Sequence, residues 1–249
     1  MNPILLSEGV DFNIKAIKTF NIFGMKFMFT NSMWNALCIM VAMVLFAVIV
    51  NRKLKKVDPM KPQRGLIGMI EMLVGMLDKT TIDTMGPKCL GFSAFYGGMI
   101  VYIMLCNLSG LMLWFVPYKT GIMIDFMRPP TADLAVTLSL ALITFFMTQG
   151  FAIKAKGVKG WLKALTEPVA FLTPINIIGE VANPVSLSFR LMGNVLAGTI
   201  IMGLYYGMLP MITHILTPAL HFYFDVFSGL LQAYIFMMLS MIYVSGAME

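Results

Sequence analysis

Long apolar runs separated by short charged or proline-containing breaks define this chain. The first run, residues 32–50, is long enough to cross about 30 Å of hydrocarbon as a helix. It is followed by NRKLKKVDPMKPQR, with six basic residues against Asp58. Residues 65–77 are apolar but short and hold Glu71, a pattern that predicts an interfacial helix. A second run covers 92–116, and residues 117–131 form a loop closed by Pro129 and Pro130. A third run, 132–153, starts near Asp133 and leads into KAKGVKGWLK, a second basic loop. From 168 to 246 there is no charged loop, only a break near Leu209–Pro210 and a possible second at Pro218. The two halves, 168–209 and 211–246, each approach 40 residues. A straight helix of that length would run about 60 Å, twice the hydrocarbon thickness. Ordinary tilt cannot absorb the excess. The pattern therefore predicts an all-α membrane protein with about five membrane-crossing helices plus an interfacial helix. The last two crossings form a long, steeply inclined hairpin packed against other protein. The whole of 1–249 reads as one polytopic membrane domain, with 1–31 as a tail.

Composition agrees. Hydrophobic residues make up 59% of the 249 and charged residues only 12%, about half the share in a soluble domain, so no large soluble domain is expected. Mean hydropathy is +0.83. The net charge of +6 does not mark a nucleic-acid partner, because the basic residues cluster beside apolar runs. Six basic residues follow the first run, four follow the third, and two (Lys119 and Arg128) follow the second. The positive-inside rule then places the N-terminus outside and the C-terminus in the cytoplasm. Residues 1–30 carry Glu8 and Asp11 and lack a basic start with an apolar core, so no cleavable signal is expected. Cys38, Cys89 and Cys106 have no ligand spacing and read as small hydrophobes. The 25 methionines read as core filling.

Arg190 changes the picture. Of 18 Lys+Arg it is the only one inside an apolar stretch, and no other lies between 168 and 249. A permanent cation in hydrocarbon costs at least about 2.5 kcal/mol, and arginine cannot escape by losing its proton. Ser186, Arg190 and Asn194, spaced by four, form one helical stripe, which Ala197 continues and Gly193 flanks. Small residues there allow close approach of another helix. Asp225, Gly229 and Gln232 share a face of the final helix, and an antiparallel hairpin could set Gln232 opposite Arg190. The bland alternative is a structural ion pair of Arg190 with Glu180 or Asp225. Glu180, ten residues away and about 80° round the helix, is poorly placed for it. His214 and His221 read as ordinary interfacial residues near the outer turn.

EVANPVSLSFRLMGNVLAG closely resembles the signature of subunit a of the F-type ATP synthase. LLQAYIFMMLSMIYVSGAME resembles that family's final helix, and NLSGLMLWFVP, RPPTADLAVTLSLALITFF and IKAKGVKGWLKALTEP resemble its middle spans and loop. The likeness covers about residues 106–248, and RPPTADLAVTL is worded as in bacterial or plastid members. The resemblance implies a stator in the cell inner (plasma) membrane, partnered by the c-ring subunits, the stator b subunits, the rest of the complex and membrane lipid. The inclined hairpin would lie against the c-ring. Two offset half-channels would carry H+ or Na+ to and from the ring carboxylate.

Arg190 matches the family's essential arginine and Gln232 its partner on the last helix. Asn194 and Ser186 match the polar residues one turn after and one turn before the arginine, and Glu180 a carboxylate near the cytoplasmic channel. Many relatives carry Glu or His where this chain has Thr199, and His or Glu where it has Asp225. Of these two only Asp225 titrates, which argues against a two-group relay in the outer half-channel. Asp225 with water is the expected inlet, helped by Asp133 at the outer end of the third span. No catalytic residue, cofactor or metal is expected, since no phosphate-binding loop, HExxH or GxSxG occurs. The competing reading, a self-contained secondary transporter or channel, predicts paired repeats that the chain does not show.

Overall fold

A computed structural model describes residues 16–22, 25–55, 65–115, 129–167, 169–208 and 213–248. Two strands, β1 (Ala16–Ile22) and β2 (Met25–Thr30), pair antiparallel and precede seven helices among the described residues. The helices are α1 (Asn31–Leu54), α2 (Leu66–Met85), α3 (Ser93–Phe115), α4 (Leu134–Thr166), α5 (Thr173–Met208), α6 (Thr213–His221) and α7 (Gly229–Met248). Short 3₁₀ turns precede α3, α4 and α5, and a π-helical segment, Phe222–Ser228, joins α6 to α7. Five helical stretches are long and apolar enough to cross a membrane. The fold is that of an all-α membrane protein, with the ribbon lying in the segment expected to be a tail.

The chain divides into two compact units. One takes in Met1–Leu37, Ile103–Leu140 and Ser186–Ala233. Its core joins the apolar Ile103, Cys106, Leu187 and Leu191 to buried Asn107, Thr131, Thr137, Ser188 and Gln232. The other takes in Cys38–Tyr102, Ala141–Val185 and Tyr234–Glu249. Its core is Tyr96, Phe236, Met237, Met241 and Val244. There the Ser240 hydroxyl donates to Thr144 Oγ1 at 3.0 Å, and the Tyr96 hydroxyl donates to the Ser240 carbonyl at 3.4 Å. In hydrocarbon, where apolar burial gains nothing against lipid, such interhelical bonds and close packing hold helices together. By contrast, only Asn31 and Ser32 of α1 are buried, leaving its apolar length to lipid or a partner.

Several elements differ from the sequence expectation. Helix α2 continues eight residues past Leu77 to Met85. Its buried residues, Leu77, Thr81 and Met85, are spaced by four, so one face packs while the charges at Asp78, Lys79 and Asp83 need not end the helix. The basic segment at 154–163 is helical, and α4 bends only at Gly157, whose φ of 72° lies in the left-handed region. Pro218 sits inside α6 rather than breaking it, and Pro184 sits inside α5. Lacking an N–H, Pro184 omits the bond that would close on the Glu180 carbonyl. The expected break near Leu209–Pro210 and the loop with Lys119 and Arg128 lie outside the described residues.

Gly157, at φ 72° and ψ 165°, permits the bend because that conformation is essentially open only to glycine and costs any other residue about 1–3 kcal/mol. Gly157→Ala should lower the thermal denaturation midpoint of the purified assembled complex, whereas Gly150→Ala, in regular helix with open space around its Cα, should leave it unchanged.

Candidate functional site

Helix α5 presents the Ser186–Arg190–Asn194 stripe as expected from its spacing. Ser186 and Arg190 are exposed, and Asn194 is half-buried. Among the described residues no carboxylate forms an ion pair with Arg190. Both carboxylates considered as partners for it are engaged elsewhere. Asp225 is bonded to His221 Nδ1, and Glu180 Oε2 accepts from Gln149 Nε2 at 2.7 Å. Gln232 on α7 is 6% exposed, and its Nε2 has no hydrogen-bond acceptor among the described residues. A buried amide donor left unmade costs about 1–3 kcal/mol.

Asp225 lies within the π-helical segment, one turn after His221. Their side chains are mostly buried, 14% exposed for His221 and 23% for Asp225. Single π turns inside α-helices shift the hydrogen-bond register and release carbonyls from it. Here neighbouring amides meet the carbonyls at the segment's end. Asn194 Nδ2 donates to the Ser228 carbonyl at 3.4 Å, while Ser228 Oγ donates back to Asn194 Oδ1 at 2.8 Å. Asn107 Nδ2 donates to the Gly229 carbonyl at 2.8 Å, and Thr131 Oγ1 donates to Asn107 Oδ1 at 2.7 Å. Gly229 eases that approach, since a Cβ there would stand 3.1 Å from Asn107 Cβ and push the two apart by a few tenths of an ångström.

The remaining predicted residues take other positions. Thr199 Oγ1 donates to the Val195 carbonyl of its own helix at 2.9 Å. Asp133 is buried and caps α4: its Oδ1 accepts from the Ala135 N–H at 2.9 Å, and its Oδ2 accepts from Thr30 at 3.5 Å. Glu180 borders a cavity of about 560 Å³, lined also by Gln149, Lys156, Trp161, Asn176 and Asn183. At roughly 30 Å³ per water in the liquid, that space has room for well over ten waters.

Sequence reasoning missed His221, Asn107 and Gln149. The four-residue spacing of His221 and Asp225 was visible, but an interfacial reading absorbed the histidine. Asn107 and Gln149 sit singly in apolar runs, and an intramembrane amide carries no spacing signal of its own.

An all-α multi-pass membrane protein with an exposed arginine on a membrane-crossing helix, an aspartate within a π segment and a carboxylate at a cavity wall has the features of integral membrane proteins that move ions. A family model for the ATP synthase A chain matches residues 32–245. ATP synthase subunit a of Staphylococcus saprophyticus is 31% identical over 240 residues, covering 93% of this chain and 96% of that protein. ATP synthase subunit a of Bacillus subtilis is 31% identical over 242 residues, covering 92% and 95%. The sodium-ion-specific ATP synthase subunit a of Propionigenium modestum is 34% identical over 212 residues, covering 82% and 70%. The chain belongs to the ATP synthase A chain family, and is thus a multi-pass membrane subunit of an ATP synthase.

Asn107→Leu would strip partners from the Gly229 carbonyl and the Thr131 hydroxyl at a buried position, costing about 1–3 kcal/mol for each unmet group. Faster thermal inactivation of the assembled ATPase than in the native complex is the expected result.

Proposed function

We propose that this subunit is the stator of the membrane sector and provides two half-channels that carry H+ or Na+ to and from the c-ring carboxylate. Ion flow is thereby coupled to ring rotation and ATP synthesis. In this reading the chain sits in the bacterial plasma membrane beside the c-ring and the b subunits, with its N-terminus outside and its C-terminus in the cytoplasm.

The observation that carries the reading is Arg190: an exposed cation on a membrane-crossing helix, with no intrachain ion pair among the described residues. Such a charge calls for an anion supplied by another chain. A passing ring carboxylate meets that need, and the fixed guanidinium favours its ionised form, so it releases its ion. Gln232 places a buried amide on the final helix. Asn194 and Ser186 keep the arginine stripe polar.

Asp225 serves the outer half-channel, and His221 joins it as a second titratable group on the same segment. The relay argued against on the strength of Thr199 is in this way rebuilt one turn away, on the helix of the carboxylate itself. Glu180 and its cavity serve the cytoplasmic half-channel. Asp133 and Thr199, with hydroxyl or carboxylate committed to helix ends and backbone, take structural parts. The sodium-specific relative makes the coupling ion a direct question. Proton uptake in sodium-free medium assigns H+, and a strict sodium requirement assigns Na+.

ATP-driven ion uptake into inverted membrane vesicles tests the reading. Arg190→Ala should abolish uptake while the complex stays assembled; unchanged uptake would demote Arg190 to a structural charge and overturn it. Asp225→Asn should slow uptake by at least about tenfold, and a normal rate across pH would remove Asp225 from the path.

A further inference from the structure

The Glu180 carboxylate is held by a chain of two side chains that come from either side of the α4 bend. Trp161 Nε1 donates to Gln149 Oε1 at 2.8 Å, and Gln149 Nε2 donates to Glu180 Oε2 at 2.7 Å. Gln149 and Trp161 are twelve residues apart. On a straight helix that separation would be about 18 Å. Only the fold-back at Gly157 brings the indole to the amide.

The polarity of the chain is dictated by chemistry. An indole N–H can only donate, so the glutamine must turn its oxygen to Trp161. Its NH₂ is then left facing Glu180, and an ionised carboxylate can only accept. Asn176 secures the same corner, since its Nδ2 donates to the Leu165 and Glu167 carbonyls at 2.9 and 3.0 Å, at the C-terminal end of α4. Gln149, Trp161, Asn176 and Glu180 all line the 560 Å³ cavity.

We propose that Gln149 and Trp161 are positioning residues of the ion path: through the Gly157 bend they hold the Glu180 carboxylate at the wall of the cavity, and the rate of ion passage depends on that hold. The proposal rests on the reading that Glu180 serves a half-channel. A freely rotating glutamate would spend much of its time away from the path, and residues that orient a functional group typically change activity by about ten- to a hundredfold.

The test compares initial rates of ATP-driven uptake in inverted vesicles holding the whole complex, normalised to assembled complex. Glu180→Gln and Gln149→Leu should each slow uptake about tenfold, and Trp161→Phe, which removes the indole donor and keeps an aromatic ring, should slow it less. The exchange Gln149→Glu with Glu180→Gln keeps one carboxylate and one amide in the same hydrogen-bonded chain. It should restore a rate within about threefold of native, whether or not Gln149→Leu assembles well. A native rate for Gln149→Leu beside a slow Glu180→Gln would overturn the positioning proposal and leave the role of Glu180 standing. An assembled exchange variant as slow as Gln149→Leu would also overturn it, because a carboxylate held by the same hydrogen-bonded chain at the same cavity wall would then not sustain ion passage. A native rate for Glu180→Gln would instead sink the underlying half-channel reading.

Discussion

A charge that cannot be neutralised, carried on a helix that crosses hydrocarbon, is the constraint on which the rest of this structure depends. An arginine guanidinium is a permanent cation, and its desolvation has to be offset by water or an anion. Among the described residues no carboxylate pairs with it: the two plausible ones are committed, Asp225 to His221 and Glu180 to Gln149. An exposed, unsatisfied cation is stable only where another protein presents a carboxylate or where water reaches it. Both conditions fit the proposed ion path at a protein–protein boundary, and the chain's membership of the ATP synthase A chain family supports that reading.

Regular helix is repeatedly relaxed along the chain. α4 bends at Gly157, α5 omits one backbone bond at Pro184, and the chain passes from α6 to α7 through a π segment. In a membrane each such departure exposes backbone groups that lipid cannot satisfy. The structure meets them with amides: Asn107 and Asn194 at the end of the π segment, Asn176 at the end of α4. The titratable groups sit at these relaxed places, Asp225 within the π segment and Glu180 four residues before Pro184. Straight helices would seal every backbone group and leave little room for water.

Much of this was legible in the sequence. Apolar run length gave five crossings, and four-residue spacing placed Ser186, Arg190 and Asn194 on one stripe. What stayed hidden depends on tertiary contact. The end of α2 was read too early because charges after Leu77 mask a buried stripe continuing to Met85. Lysines from 154 to 163 suggested a loop, although Lys, Ala and Leu are good helix formers and only Gly157 departs from helix. His221 was set aside because a histidine near a membrane surface is common. Its bond to Asp225 becomes visible only when the π segment is built.

The central claim is that the Arg190 face meets the ring, and cross-linking tests it most directly. With Cys38, Cys89 and Cys106 replaced, a single cysteine would be placed at Ser186 or Ala197, both exposed on the arginine stripe, or at Val44, exposed on α1. Each would carry a photoreactive maleimide in the assembled complex, and the products would be identified by mass spectrometry. The account predicts adducts with the ring subunit from positions 186 and 197 and none from 44. Adducts with lipid alone from the stripe, or equal ring adducts from all three, would contradict it.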